Sequence, residues 1–162
     1  MYAQEVKVWN EVMANAPLST DTPEQIIAKI KRQSAFVVEE AKEIQTGAEK
    51  GDVQEILDGY LDTKFTNDQI GVYLESLGVD IEAAWDEVCR SNNTKFSTNW
   101  HQMKHSAVLV SQKQGFTHVV ESPVPGVYVL KRDVDGKIMK PVMFEEPNLR
   151  PFIPKKLRRE RV

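Results

Sequence analysis

Residues 36–62 read FVVEEAKEIQTGAEKGDVQEILDGYLD, and the spacing of acids and apolar side chains within them decides the fold. Apolar positions recur at intervals of three and four rather than alternating, which predicts a helix on each side of a break at Gly51-Asp52. Upstream, Ile26, Ile30, Val37, Ala41 and Ile44 form one stripe of a long helix. Downstream, Val53, Ile56, Leu57 and Tyr60 form the stripe of the next, which runs toward Leu77 before Gly78. Gly51 suits the end of the first helix and Asp52 the cap of the second, a connection short enough to make the two antiparallel neighbours. The long helix has candidate caps in Ser19, Thr20, Asp21 and Thr22, followed by Pro23 at the favoured first position.

Outward from this pair, Tyr2, Val6, Trp9 and Met13 predict a first helix that stops before Pro17. Ile81, Ala84, Trp85 and Val88 predict a fourth, which fades in Ser91-Asn92-Asn93-Thr94. Past residue 100 the pattern changes to short β-branched runs: AVLV at 107–110, THVVE at 117–121 and VYVLK at 127–131. Asp135-Gly136 is placed to turn a hairpin into KIMK. The expected fold class is all-α, an antiparallel bundle of four main helices over residues 1–100 with a small C-terminal β-hairpin extension over 101–150. A basic tail over 151–162 ends in KKLRRERV, a charge run expected to be mobile.

A hydrophobic content of 41% over 162 residues suffices for a packed core. One cysteine, Cys89, permits no internal disulfide and no cysteine-rich zinc site. MYAQEVKVWNEV carries charges where a signal peptide would be apolar, and no stretch reaches the length of a membrane span. A soluble, cytoplasmic protein is the expectation, with no membrane partner. The net charge of −3 divides unevenly: residues 1–100 hold 9 Lys+Arg and 18 Asp+Glu, whereas residues 101–162 hold 12 and 6. An acidic helical part suits cations and the polyanions they carry, and the basic end suits polyanions directly.

Acids are concentrated on the two central helices. Glu40 and Glu43 share one side of the second helix, and Glu55, Asp58 and Asp62 share one side of the third. Stacked carboxylates repel one another unless a cation lies among them, and Mg²⁺ takes hard oxygen ligands of this kind together with water and substrate phosphates. A solvated helix face would also place acids opposite the apolar stripe. Trp9 suits either the core or stacking on a nucleobase, and Lys31-Arg32 either a phosphate or nearby acids.

These motifs resemble those of the all-α nucleotide pyrophosphohydrolases, the family of MazG, the dimeric dUTPases and phosphoribosyl-ATP pyrophosphohydrolase. The family's E-E-x-x-E is matched by Glu39-Glu40-Ala41-Lys42-Glu43, its E-x-x-D by Glu55-Ile56-Leu57-Asp58, and its further acid by Asp62. EVCRSNNTKF at 87–96 resembles a later segment of many members, and DGKIMKPVMFEEPNL at 135–149 resembles the short β tail after it. Residues 101–132 match no part of the family. This chain departs from the pattern in its eleven-residue spacing between Glu43 and Glu55, in Cys89 where many relatives have His, and in Gly59 within a helix. The glycine either costs helix stability or permits a close helix contact.

The resemblance implies hydrolysis of a nucleoside triphosphate to the monophosphate and pyrophosphate. It implies Mg²⁺, or Mn²⁺ in its place, held by Glu40, Glu43, Glu55 and Asp58, with Glu40 or Glu43 also orienting or deprotonating the attacking water. Asp62, Asn92 and Lys95 would contact the substrate, and the protein would be a homodimer or homotetramer. The alternative is a non-catalytic helical adaptor whose basic tail binds nucleic acid; on the leading reading, nucleic acid is not a partner.

Overall fold

Cap chemistry sets the two long helices in the computed structural model, which describes residues 4–158. Helix α1 covers Gln4–Val12, α2 Pro23–Lys50 and α3 Val53–Ser76. Thr22 starts α2 with a reciprocal capping box: its hydroxyl accepts the Gln25 N–H at 3.3 Å, and the Gln25 side chain accepts the Thr22 N–H at 2.7 Å. Gly51, at φ 69°, takes the left-handed conformation that ends α2. One residue later the Asp52 carboxylate accepts the N–H groups of Gln54 and Glu55 at 3.0 and 3.1 Å and starts α3.

The two helices then press backbone against backbone. A Cβ on Gly47 of α2 would stand 2.8 Å from the Ile56 nitrogen, and one on Gly59 of α3 would stand 3.0 Å from the Ile44 nitrogen and 3.2 Å from the Glu40 oxygen. Gly59 is therefore the contact residue of a close helix pair. This contact also redirects α3. Its inner side runs through Ile56, Gly59, Thr63, Thr66, Gln69 and Tyr73, all buried or half-buried, while Val53, Leu57 and Tyr60 of the expected apolar stripe are exposed.

The chain divides into two compact units. The first comprises residues 4–82 and 150–158, with a core of Val6, Ile26, Val72 and Tyr73. Arg150–Phe152 and Lys155–Leu157 form short 3₁₀ turns in it. The Asp80 N–H donates to the Phe152 carbonyl at 3.0 Å, and Arg158 Nε to the Ile153 carbonyl at 2.8 Å. The described part of the basic tail thus forms 3₁₀ turns and is hydrogen-bonded within the first unit. Residues 159–162 of that run, and Tyr2 of the first helical stripe, lie outside the described residues.

The second unit, Ala83–Leu149, overturns the all-α expectation. It holds most of α4 (Ile81–Asn93), then β1 (Phe96–Ser97), α5 (Trp100–Gln114), β2 (Thr117–Glu121), β3 (Tyr128–Arg132) and β4 (Ile138–Met139). β3 pairs antiparallel with all three other strands, with β2 along its whole length, β1 near its start and β4 near its end. The expected turn at Asp135-Gly136 does join β3 to β4. The result is a four-stranded sheet with its own helix, so the fold is mixed: five helices and one antiparallel sheet among the described residues.

AVLV at 107–110 is helical, not extended. Asn99 caps α5 by accepting the Gln102 N–H at 3.1 Å, and Met103, Ser106, Ala107 and Val110 are buried at i, i+3, i+4, i+7. The β-branched run is short, and helical burial of its flanks overrides it. Met103, Ala107, Val110, Leu130 and Met139 make the core between α5 and the sheet.

Candidate active site

The glycine contact places the two acidic motifs face to face in the first unit. Glu40 is half-buried on α2, and its carboxyl holds its proton above the ordinary glutamate range. Burial is the largest cause, followed by the charges of Glu43, Asp62, Glu39 and Asp58. The carboxylates of both helices therefore act on one group. Among the described residues no ion pair neutralises Glu39, Glu40, Glu43, Asp58 or Asp62. Glu55 differs: the Lys50 ammonium lies 3.0 Å from each of its oxygens.

Hard oxygen donors and uncompensated negative charge fit a divalent cation in chemistry and sign. As the side chains stand, no group of three or more His, Cys, Asp or Glu among the described residues converges to hold one. Charge accumulates at Glu40 without being gathered to a point.

Glu40 and Asp62 also form one end of a cleft of about 520 Å³. α3 lines it with Asp62, Phe65, Thr66 and Gln69, at i, i+3, i+4, i+7, and antiparallel α2 faces them with Glu40, Phe36, Gln33 and Arg32. Trp9 of α1 meets Phe65 edge to face with ring centroids 5.4 Å apart, and Asn15 completes the lining. The groove passes from acids through aromatic rings to amides. Arg32 brings it a guanidinium that has no acidic partner among the described residues.

The amide end is tightly specified. Gln69 Nε2 donates to Asn10 Oδ1 and, at 3.2 Å, to the Tyr73 hydroxyl, which in turn donates to the Asn15 carbonyl at 3.1 Å. Gln33 Nε2 donates to the Thr66 carbonyl at 3.4 Å. Asn10, Gln33, Gln69 and Tyr73 are all buried. Gln33, Phe36, Phe65 and Gln69 escape a reading based on charge, although the spacing of Asp62, Phe65, Thr66 and Gln69 already marks one helix face.

Asn92 and Lys95 belong to the second unit. Asn92 is exposed in the last turn of α4, where its carbonyl accepts the Lys95 N–H at 3.0 Å, and the Lys95 ammonium lies 5.9 Å from the centre of the Phe144 ring. The surrounding segments bind each other. Glu87 accepts Arg90 Nε at 2.7 Å and the Asn148 N–H at 2.7 Å, which holds its pKa down to about 2. The Ser91 hydroxyl donates to the Glu145 carbonyl at 2.7 Å, and the Thr94 hydroxyl accepts the Glu145 N–H at 3.0 Å. The motif at 87–96 and the tail at 135–149 thus form one structural joint.

No family model, curated protein or solved structure matches the chain. Among the described residues no helix is long and apolar enough to cross a membrane.

Proposed function

We propose that the protein is a Mg²⁺-dependent nucleoside triphosphate pyrophosphohydrolase, with Mn²⁺ as a substitute, acting in the cleft of the first unit. The observation that carries this is the order of chemistry along one groove: unpaired acids, then aromatic rings, then oriented amides. From Glu40 to Gln33, and from Asp62 to Gln69, is seven residues on each helix, or about 10 Å of groove. That is the reach of a nucleotide from its phosphates to its base.

On this reading Glu40, Glu43, Glu55 and Asp58 would hold the cation, Glu55 by exchanging Lys50 for it. A bound Mg²⁺ offsets phosphate charge and makes a coordinated water more acidic. Glu40, already a firmer proton holder than an ordinary glutamate, suits the general base that takes a proton from the attacking water. Asp62 borders the substrate at the acidic end, and the rings of Trp9, Phe36 and Phe65 exclude water around the nucleoside. The resemblance alone assigns Asn92 and Lys95 to substrate binding. It also suggests a homodimer or homotetramer, and exposed Val53, Leu57, Tyr60 and Leu61 along α3 provide apolar surface for one. Action in the cytoplasm is part of the same proposal.

A screen of ribo- and deoxynucleoside triphosphates for pyrophosphate release, with and without Mg²⁺, tests it. Release of pyrophosphate and monophosphate in equal amounts, only with the cation, is expected. Absence of pyrophosphate from every substrate would refute the assignment.

A further inference from the structure

The two glutamines at the inner end of the cleft are not free to present either end of their amides. The Tyr73 hydroxyl has one hydrogen, and it goes to the Asn15 carbonyl. Tyr73 can therefore only accept from Gln69, which fixes the Gln69 amide with Nε2 inward, shared between Tyr73 and Asn10. Both hydrogens of that nitrogen are used. Gln33 is fixed in the same sense, because the Thr66 carbonyl can only accept and so draws Nε2 toward itself.

What remains of the Gln69 amide is its oxygen, and Gln33 keeps its oxygen and one N–H. Among the described residues neither Gln33 Oε1 nor Gln69 Oε1 receives a hydrogen bond, and neither is among the buried side-chain atoms that lack a partner there, which are Asn10 Nδ2 and Thr63 Oγ1. Both glutamines line the cleft, and neither oxygen is sealed from solvent. The amide end thus offers a ligand two acceptors, one from α2 and one from α3, set in side chains that are 6% and 3% exposed.

Resting on the pyrophosphohydrolase reading, we infer that the cleft selects nucleotides whose base carries an exocyclic amino group at its inner edge, cytosine or adenine, against those with a carbonyl there. An amino group supplies two N–H donors and satisfies both oxygens. A carbonyl in the same place sets oxygen against oxygen at Gln69 and finds only the spare N–H of Gln33. Tyr73 acts as a positioning residue: it touches Gln69, not the substrate, and holds the polarity of its amide.

Two substrate pairs test this feature, CTP against UTP and ATP against ITP: the members of each pair differ by amino versus carbonyl, with the adjacent ring nitrogen changing from acceptor to donor. The measurement is kcat/KM for each with Mg²⁺ and the full chain. The amino member should be preferred by about ten- to a hundredfold, the scale of one buried hydrogen bond lost. Tyr73→Phe frees the Gln69 amide to turn, so the amino-to-carbonyl ratio should shrink severalfold while the melting curve reports whether the fold survives. If that variant does not fold, the wild-type ratios decide by themselves. Equal rates within both pairs, or a preference for UTP and ITP, would overturn the selectivity and leave the pyrophosphohydrolase reading standing. Hydrolysis of none of the four, nor of any other nucleotide, would remove both.

Discussion

The clustered acids of the α2–α3 pair and the ion-paired acids of the second unit are treated in opposite ways. In the second unit Glu87 and Glu145 share Arg90, Asp135 is held by Arg132, Glu146 by Lys140 and Asp133 by His118. Each of these acids has a partner, and the Arg90–Glu145 and His118–Asp133 pairs join separate segments of the chain. On α2 and α3, Glu39, Glu40, Glu43, Asp58 and Asp62 stand together with none among the described residues, and the cost shows in the raised pKa of Glu40. Paired acids here are joints. Unpaired acids crowded by a glycine contact oppose folding, and they are intelligible where function needs the charge.

The largest effects should come from removing single charges on the unpaired side. Glu43→Gln and Asp58→Asn nearly preserve shape while each relieves a repulsion, so the melting temperature should hold or rise slightly. Turnover should fall by about two orders of magnitude or more, the scale on which catalytic groups are felt. A thermal melt beside a pyrophosphate assay checks this. Stability and activity falling together would make these acids joints as well, and retained activity would make them mere surface.

The glycine contact that assembles the cluster offers a second, smaller test. Gly47→Ala raises helix propensity by about 1 kcal/mol, but its Cβ would meet the Ile56 backbone nitrogen at 2.8 Å, where no flexible side chain can yield. The helices must separate, so a net loss of about 1–3 kcal/mol is expected, with reduced turnover. Urea unfolding at constant m reads the first. A more stable and fully active variant would detach the cluster from the glycine contact.

On the paired side the effect is smaller and tied to pH. The folded pKa of Glu87, about 2, lies below its ordinary value of 4.5, so its contribution is complete above 4.5 and fades as pH falls toward 2. Glu87→Gln should therefore melt lower than the wild type near neutral pH and converge with it in acid. Because its partner Arg90 is exposed and screened by solvent, a modest shift is expected, with activity per folded molecule retained. A gap in melting temperature that stays constant down to pH 2 would show that the charge of Glu87 is not what matters.

Which features the sequence disclosed follows from the range of the forces that set them. Thr22, Pro23, Gly51 and Asp52 act within one turn, and their caps are legible in the residues themselves. The acidic spacing is equally local, so the two motifs could be placed on facing helices. The inner side of α3 was not legible, because Gly59, Thr63, Thr66 and Gln69 are small or polar and face a backbone that only tertiary structure supplies. Hydrophobicity pointed instead to Val53, Leu57 and Tyr60, which are exposed. The second unit was misread for a related reason. Local β-branching in AVLV outweighed the longer helical spacing of Met103, Ser106, Ala107 and Val110, and pairing of β1 with β3 joins residues more than thirty positions apart. The polarity of Gln33 and Gln69 depends on partners in α1 and α3 and has no sequence signature.

Direct titration with Mn²⁺, followed by its paramagnetic signal, sets the two regions against each other most plainly. If the unpaired acids of α2 and α3 are a cation site, the wild type binds Mn²⁺ saturably and releases it to Mg²⁺, Glu43→Gln and Asp58→Asn lose that binding, and Glu87→Gln keeps it. Binding that survives both site substitutions, or a wild type that binds no Mn²⁺ even with a nucleoside triphosphate present, would contradict the account.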